Sequence, residues 1–386
     1  MTAFVLTAFY WILIGLGVYF FGLSVINALW MLHETKKAEI TDGPLVSVLI
    51  PARDEEIHIE PCVESFMHQS YKNYEVLVLD DNSTDRTHEL LQKLQKLYPD
   101  RLKIYSGKPL PPDWRGKVFA MKQLCEHANG EYLLFTDADT VHSSDSVSLA
   151  VTNMLYHKVD FLSGYITQKT KTLGEKATIP LLYLLSGFIL PMWVCKWGKA
   201  PVLAVAIGQY ICVKKDSFEK CGGFDLVKDR TTEDVSLARE MKAHGYKTVF
   251  LDLKDAALCR MYTSWKSCIN GISKNIFDFI GKNNVILVSA VIGILIFMTM
   301  PPFLALGLTV YTAVAGKPVS FELVALWIHI LFVGGTWAVV CKTRKMKRWL
   351  AFIYPLMFLN LLYIALISWY RSAFGKGYEW KGRIVH

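Results

Sequence analysis

Apolar residues are spread unevenly along the chain. Residues 4–32, "FVLTAFYWILIGLGVYFFGLSVINALWML", form a nearly unbroken apolar run of 29 residues, and a helix needs only about 20 to cross a hydrocarbon core. A second apolar region fills most of 285–370 in three stretches: 285–315, interrupted by Pro301 and Pro302, then 321–341 and 350–370. Between the two regions, 33–178 carries most of the charge. The pattern predicts a water-soluble domain with membrane segments on both sides of it.

Within the polar region the period changes from stretch to stretch. Short β-rich runs, "LVSVLIP" (45–51), "EVLVLD" (75–80), "LKIYS" (102–106) and "YLLFTD" (132–137), alternate with helical patterns such as "EEIHIEPCVESFMHQ" and "STDRTHELLQKLQKL". Such alternation predicts an α/β sheet. One more apolar run, 179–195 ("IPLLYLLSGFILPMWVC"), contains Pro180 and Pro191 and lies inside the span of the polar domain. It reads as an element dipping into lipid headgroups, not as a crossing.

The flanks orient the chain. "MTAF" is uncharged and the run after it is too long for a cleaved signal, so residues 1–33 read as an anchor. Lys36 and Lys37 follow directly in "HETKKAE", which predicts a cytoplasmic face for the polar domain. The same rule puts "KTRKMKR" (342–348) inside, yet the tail "YRSAFGKGYEWKGRIVH" is also basic. Both flanks of one crossing cannot face the same side, so one C-terminal segment is expected to be a hairpin, re-entrant or interfacial.

Composition adds limits. Over 386 residues, 52% hydrophobic content and a mean hydropathy of +0.28 fit a membrane protein with one soluble domain. The net charge of +8 gathers near the membrane boundaries, which favours anionic lipid over nucleic acid as the partner. Eight cysteines form no C-x-x-C pair and no Cys/His cluster, so neither a zinc site nor a disulfide framework is indicated.

Candidate chemistry sits at the strand ends. Ligands of open α/β sheets bind outside the carboxyl ends of the strands, and here those ends read "PARDEE", "DDNSTD" and "DADT". Clustered acids repel unless a cation, proton or basic group compensates. Asp137 and Asp139 suit a divalent ion, since Mg²⁺ takes one or two carboxylates plus substrate phosphates, and they share a face if the strand continues through both. Taken alone, many such triplets are solvated turns. Ser83 and Asp85 read as helix-capping residues, and Asp234 by itself reads as a first-turn helix carboxylate. Lys117 is either a solvated lysine or a cation that offsets phosphate charge.

Together the pieces are more specific. "VSVLIPARDEE" (46–56), "YEVLVLDDNSTD" (74–85), "GKVFAMKQLCEHANGEYLLFTDADT" (116–140), "GGFD" (222–225) and "TEDVSLAREMKAHGYKTVFL" (232–251) follow in order. Over 45–260 the chain resembles the catalytic domain of family-2 glycosyltransferases, a Rossmann-like α/β domain of the GT-A nucleotide-sugar-binding fold. The resemblance implies that Pro51, Ala52, Glu55 and Asp80 border the nucleotide and that Asp81 holds the uracil ring. It also implies that Asp137 and Asp139 bind Mg²⁺ or Mn²⁺, with Lys117 near the donor phosphates, and that Asp234 is the catalytic base with Glu233 beside it. Around this domain the expected layout is a juxtamembrane amphipathic segment (261–284), transmembrane segments (285–370) and a basic, aromatic tail (371–386).

"LPPDWRGKVFA" (110–120), "CRMYTSWKSCINGISKN" (259–275) and "YEWKGR" (378–383) resemble the membrane-bound subset that includes carotenoid, hopanoid-associated and ceramide glycosyltransferases. Processive synthases of the family carry Q-x-x-R-W after the base; this chain has Arg260 and Trp265 in "RMYTSW" instead. Arg260 binds either the donor diphosphate or lipid phosphate. Gly223, Phe224, Trp265, Trp380 and Arg383 are the expected acceptor or interface residues. The implied activity is inverting transfer of a hexose from a nucleotide sugar, such as a UDP-hexose, to the hydroxyl or carboxyl of a membrane lipid. The implied setting is a multi-pass cell-membrane protein with a cytoplasmic catalytic domain. The rival readings are a polysaccharide synthase of the same family and a noncatalytic nucleotide-sugar or lipid-binding protein. A nucleotidyltransferase would be expected to show a Gly-rich loop after the first strand, and "PARDEE" has no glycine.

Overall fold

The computed structural model describes residues 2–374 and the backbone of Tyr378–Trp380 and Arg383–Val385. The side chains of Trp380 and Arg383 lie outside the described residues. The chain divides into two compact units: one of Met31–Lys169 and Met192–Met261, the other of Met1–Trp30, Thr170–Pro191 and Tyr262–His386.

The first unit is built on strands β1 (Val46–Ala52), β2 (Tyr74–Asp80), β3 (Leu102–Ser106), β4 (Tyr132–Phe135), β5 (Thr140–His142), β6 (Phe161–Gly164), β7 (Thr167–Gln168), β8 (Ile211–Lys214), β9 (Thr248–Leu251) and β10 (Ala257–Cys259). In chain order the helices of both units up to Ala243 are α1 (Thr2–Glu34), α2 (Ile59–Met67), α3 (Thr87–Leu97), α4 (Gly116–His127), α5 (Ser146–His157), α6 (Leu173–Thr178), α7 (Met192–Trp197), α8 (Lys215–Cys221) and α9 (Glu233–Ala243), of which α1 and α6 fall in the second unit. Seven strands form one sheet in the order β3-β2-β1-β4-β8-β6-β9. β3, β2, β1 and β4 are parallel, and β8 runs antiparallel between β4 and β6. A small second sheet has the order β5-β10-β7.

The central strands read as continuous apolar runs because helices cover both of their faces. The period of two sorts their residues between those faces. Val48, Val76 and Leu134 pack with Val63 and Phe66 of α2 and Leu91 of α3. Leu49, Leu77 and Leu133 pack on the other side with Val118 and Leu124 of α4. Gly130 leads into β4 where only glycine fits, since a Cβ there would stand 2.5 Å from the Ser47 amide nitrogen. The carboxyl ends of β1, β2 and β4 therefore open on one edge.

The second unit holds α1, α6, α10 (Trp265–Phe279), α11 (Asn284–Ile294), α12 (Met300–Val314), α13 (Phe321–Thr343) and α14 (Tyr354–Ala373). Four described segments are long and apolar enough to cross a membrane: Phe4–Glu34, Asn284–Val314, Phe321–Thr343 and Tyr354–Ala373. Thr170–Pro191 belongs to this unit. Its 3₁₀ turn (Ile179–Tyr183) and π-helical turn (Leu185–Ile189) bury Ile179, Leu181, Tyr183 and Phe188. Asn27 of α1 donates from Nδ2 to the carbonyls of Ser186 at 2.7 Å and Leu190 at 2.9 Å.

The proline pair leaves a specific gap. Pro301 and Pro302 have no N–H, so neither can donate to the Phe297 carbonyl four and five residues earlier. The Met300 amide is already used by Leu295. His329 of α13 stands at the gap: its Nε2 lies 2.7 Å from the Phe297 oxygen and its Nδ1 2.7 Å from the Leu13 oxygen of α1, and the tautomer with hydrogen on Nε2 donates to Phe297.

Candidate active site

Strand β4 ends at Phe135, so the expected continuation through Asp137 and Asp139 does not occur. Thr136 turns the chain because its hydroxyl has buried partners: Thr140 Oγ1 at 2.7 Å, His142 Nε2 at 2.8 Å and the Gln209 carbonyl at 3.1 Å. The Thr140 hydroxyl in turn donates to the Asp137 carbonyl at 2.6 Å. His142 sits beneath this turn, and burial pushes its pKa down to about 3, so it acts as a neutral hydrogen-bonding ring. The two acids consequently have different partners.

Asp137 meets Lys117 of α4, Nζ to Oδ1 at 2.5 Å, and the same ammonium lies 3.3 Å from Glu233 Oε1. Burial works against the charged lysine, but the carboxylates of Asp137, Glu233 and Asp234 outweigh it and hold the pKa above its ordinary value. Asp234, in the first turn of α9, accepts from the Gly208 amide through Oδ2 and from the Val235 amide through Oδ1, both at 2.8 Å. Burial, then Glu233, pushes its pKa up to about 6 against the lowering effect of those amides and Lys117. A small apolar cavity lined by Met121, Phe135, Ile211, Phe224 and Leu237 adjoins Lys117, Gly208, Glu233 and Asp234. This apolar wall is the physical source of the desolvation, and it brings Phe224 beside the acids. Gly223 takes a left-handed φ of +58° in the turn before it.

Asp139 faces the small sheet instead. The Cys259 thiol lies beside its carboxylate, and Oδ1 is buried with no hydrogen-bond partner among the described residues. Burial, Asp137 and Glu55 push the Asp139 pKa up to about 7. A buried acid oxygen without a donor, in a field of further acids, fits a hard cation. Among the described residues, no group of three or more His, Cys, Asp or Glu forms a full metal cage. A cation here would therefore complete its shell with water or substrate oxygens.

The remaining expected residues divide into two sets. Ala52 is buried, and its carbonyl accepts from the Asp81 amide at 2.8 Å. Arg53 beside Pro51 and Ala52 donates to the Asp81 carbonyl at 2.6 Å and lies 3.9 Å from its carboxylate. Asp80 shapes the loop, accepting from the Ser83 amide at 3.0 Å and pairing with His88 at 2.9 Å. Ser83 receives the Asp54 amide at 3.0 Å and does not cap α3, whereas Asp85 accepts from the Thr87 amide at the helix start at 2.9 Å. Glu55 Oε2 pairs with His58 at 2.9 Å. Arg260 follows β10 in this unit, whereas Trp265 belongs to the other, donating to Asn360 at 3.0 Å and stacking on Tyr363. Sequence reasoning missed Gly208, Gln209 and Cys259. The signal for Gly208 and Gln209 was a glycine next to a glutamine just before a strand, in "AIGQYICVK", whereas no local pattern marked Cys259.

Residues 47–192 match the family Glycosyl transferase family 2. The chain is 26% identical over 211 residues to the "Probable glycosyltransferase YdaM" of Bacillus subtilis, covering 54% of this chain and 49% of that protein. It is 28% identical over 203 residues to the "Beta-monoglucosyldiacylglycerol synthase" of a Nostoc species, covering 50% of this chain and 40% of that one. The match thus spans about half or less of the length of these curated relatives. Among solved structures, a mannosyltransferase from Pyrobaculum calidifontis in complex with GDP-Man and Mn²⁺ superposes with a TM-score of 0.54 at 17% identity, over 95% of this chain and 99% of that one. The fold is GT-A, an α/β nucleotide-sugar-binding architecture, joined to apolar helices.

Proposed function

We propose that this chain is an inverting, metal-dependent hexosyltransferase that moves a sugar from a nucleotide-sugar donor to a membrane lipid. The observation that carries this reading is the meeting of Asp139, with its unpartnered buried oxygen, and the Asp137–Lys117–Glu233–Asp234 cluster on the carboxyl edge of one sheet. In this reading Ala52 and Asp81 border the base, and Lys117 lies where it can offset diphosphate charge. Asp234 takes the proton of the acceptor hydroxyl as it attacks. Its two backbone donors hold the carboxylate still, and its desolvation brings it near the pKa that suits a base at neutral pH. Asp139, with Asp137, would hold a Mg²⁺ or Mn²⁺ ion, which supplies Lewis-acid stabilisation of the leaving diphosphate. One displacement at the anomeric carbon, with no second nucleophile, gives inversion. The four apolar segments of the same chain support a lipid acceptor.

The test is incubation of the detergent-solubilised protein with radiolabelled nucleotide sugars and membrane lipid extract. Label should move into the organic phase as a single glycolipid. Label in an insoluble polymer would favour a polysaccharide synthase, and donor binding without any transfer would favour a noncatalytic protein.

A further inference from the structure

One buried chain of polar side chains lies outside the residues assigned so far. Gln168 donates from Nε2 to Gln209 Oε1 at 2.7 Å, and Gln209 donates from Nε2 to Cys259 Sγ at 2.9 Å. The Cys259 thiol in turn lies beside the Asp139 carboxylate. Gln209 is 2% exposed and Cys259 1% exposed. The small sheet fixes their register: in β10, Cys259 lies between Thr140, the residue after Asp139, and Gln168 of β7. The Gln209 carbonyl also receives the Thr136 hydroxyl that turns the chain toward Asp139. Its neighbour Gly208 holds Asp234 through its amide.

We propose that Cys259, oriented by Gln209, is a positioning residue that aims the Asp139 carboxylate so that its unpartnered oxygen faces the cation. The inference rests on the reading of Asp139 as a cation ligand. A carboxylate on a turn has two oxygens and a free rotation. A donor on one oxygen leaves the other to the metal, which is how outer partners fix ligand orientation. The amide of Gln209 is needed because a thiol hydrogen also rotates. With Nε2–H directed at the sulfur, the thiol hydrogen is left to point at the carboxylate. The 208–209 dipeptide thereby ties the candidate base and the candidate metal ligand to a single backbone segment.

The test uses the full-length protein in detergent, with Mn²⁺ as probe in the presence of UDP and free Mn²⁺ read by electron paramagnetic resonance. Cys259→Ala should weaken Mn²⁺ binding about 10–100-fold, and Cys259→Ser should stay within about threefold, because a hydroxyl donates and accepts in the same places. Gln209→Met keeps the volume without the donor and should weaken binding in the same direction. It carries the test if the alanine variant melts early. Mn²⁺ affinity unchanged in Cys259→Ala and Gln209→Met, alongside its loss in Asp139→Asn, overturns the positioning role and leaves the metal reading intact. Undiminished Mn²⁺ binding in Asp139→Asn, or none in the wild type, overturns that reading and this inference with it.

Discussion

At the scale of single residues, Asp234 and Asp139 are both acids in poor solvent, and the consequences differ. Asp234→Asn should keep donor affinity while transfer falls about 10²–10⁴-fold, the range of general-base assistance. Because the Asp234 pKa lies at about 6, the wild-type rate should rise as pH increases through that value and level off above it. A rate that is flat from pH 5 to 8, or equal losses of donor binding and transfer, would remove Asp234 from the role of base. For Asp139 the effect is on stability. Its folded pKa of about 7 exceeds the unfolded value of about 3.9, so between them the native state binds more protons than the unfolded one. That contribution is fully present below the unfolded pKa and is lost as pH rises through about 7. Without divalent ions, Asp139→Asn should therefore melt above wild type at pH 8, by roughly 2–4 °C for each kcal/mol relieved. The advantage should vanish near pH 4. Calorimetry at the two pH values checks this, and an advantage of equal size at both would refute it. The acids themselves were legible as strand-end carboxylates in an ordered set of motifs. Their partners were not: Thr136 turns the chain through Gln209 and His142, and Asp139 meets Cys259 across the small sheet, contacts that no local spacing encodes.

At the scale of elements, β3 over Leu102–Ser106 agrees with the sequence run residue for residue, and β1 and β2 differ from theirs by about one residue. Apolar runs between turn signals suffice where a strand is buried on both faces. The long apolar helices were legible as apolar lengths, but not what stands at the proline break. Here the structure yields a double-variant prediction. In the tautomer with hydrogen on Nε2, His329→Ala leaves the Phe297 carbonyl without its donor, at a cost of about 1–3 kcal/mol for a buried unsatisfied group. Pro301→Ala restores an N–H four residues after Phe297, so the loss from His329→Ala should shrink in that background. The melting temperatures of the four proteins in one detergent report the coupling. Strict additivity would mean that His329 does not stand in for the missing amide.

At the scale of the whole molecule, the expectation that one C-terminal segment does not cross turns on the ends of α14. By the positive-inside rule the basic "KTRKMKR" would hold the end of α13, and so the start of α14, on the cytoplasmic side. α10 is amphipathic, which suits a segment lying along the interface ahead of Asn284. The far end of α14 returns to that level. Trp369 donates to Asn284, the first residue of α11, at 3.0 Å, and Arg371 donates to Ser273 and Asn270 of α10, each at 2.9 Å. Nearer its start, Asn360 accepts from Trp265 of α10 at 3.0 Å and donates to Thr178 at 2.8 Å. A helix fastened by polar groups to the amphipathic α10 at both places would run along the interface, although its apolar length would allow a crossing. The expected topology is thus three crossings, by α1, by α11 with α12, and by α13, with α14 in the cytoplasmic interface. Seven of the eight native cysteines are buried and Cys125 is partly exposed, so a Cys125→Ser background suits thiol labelling. In that background Lys317→Cys, between α12 and α13, should react with an impermeant reagent added to intact cells. Phe374→Cys, 60% exposed just after α14, should react only after permeabilisation. Labelling of Phe374→Cys from outside would make α14 a fourth crossing.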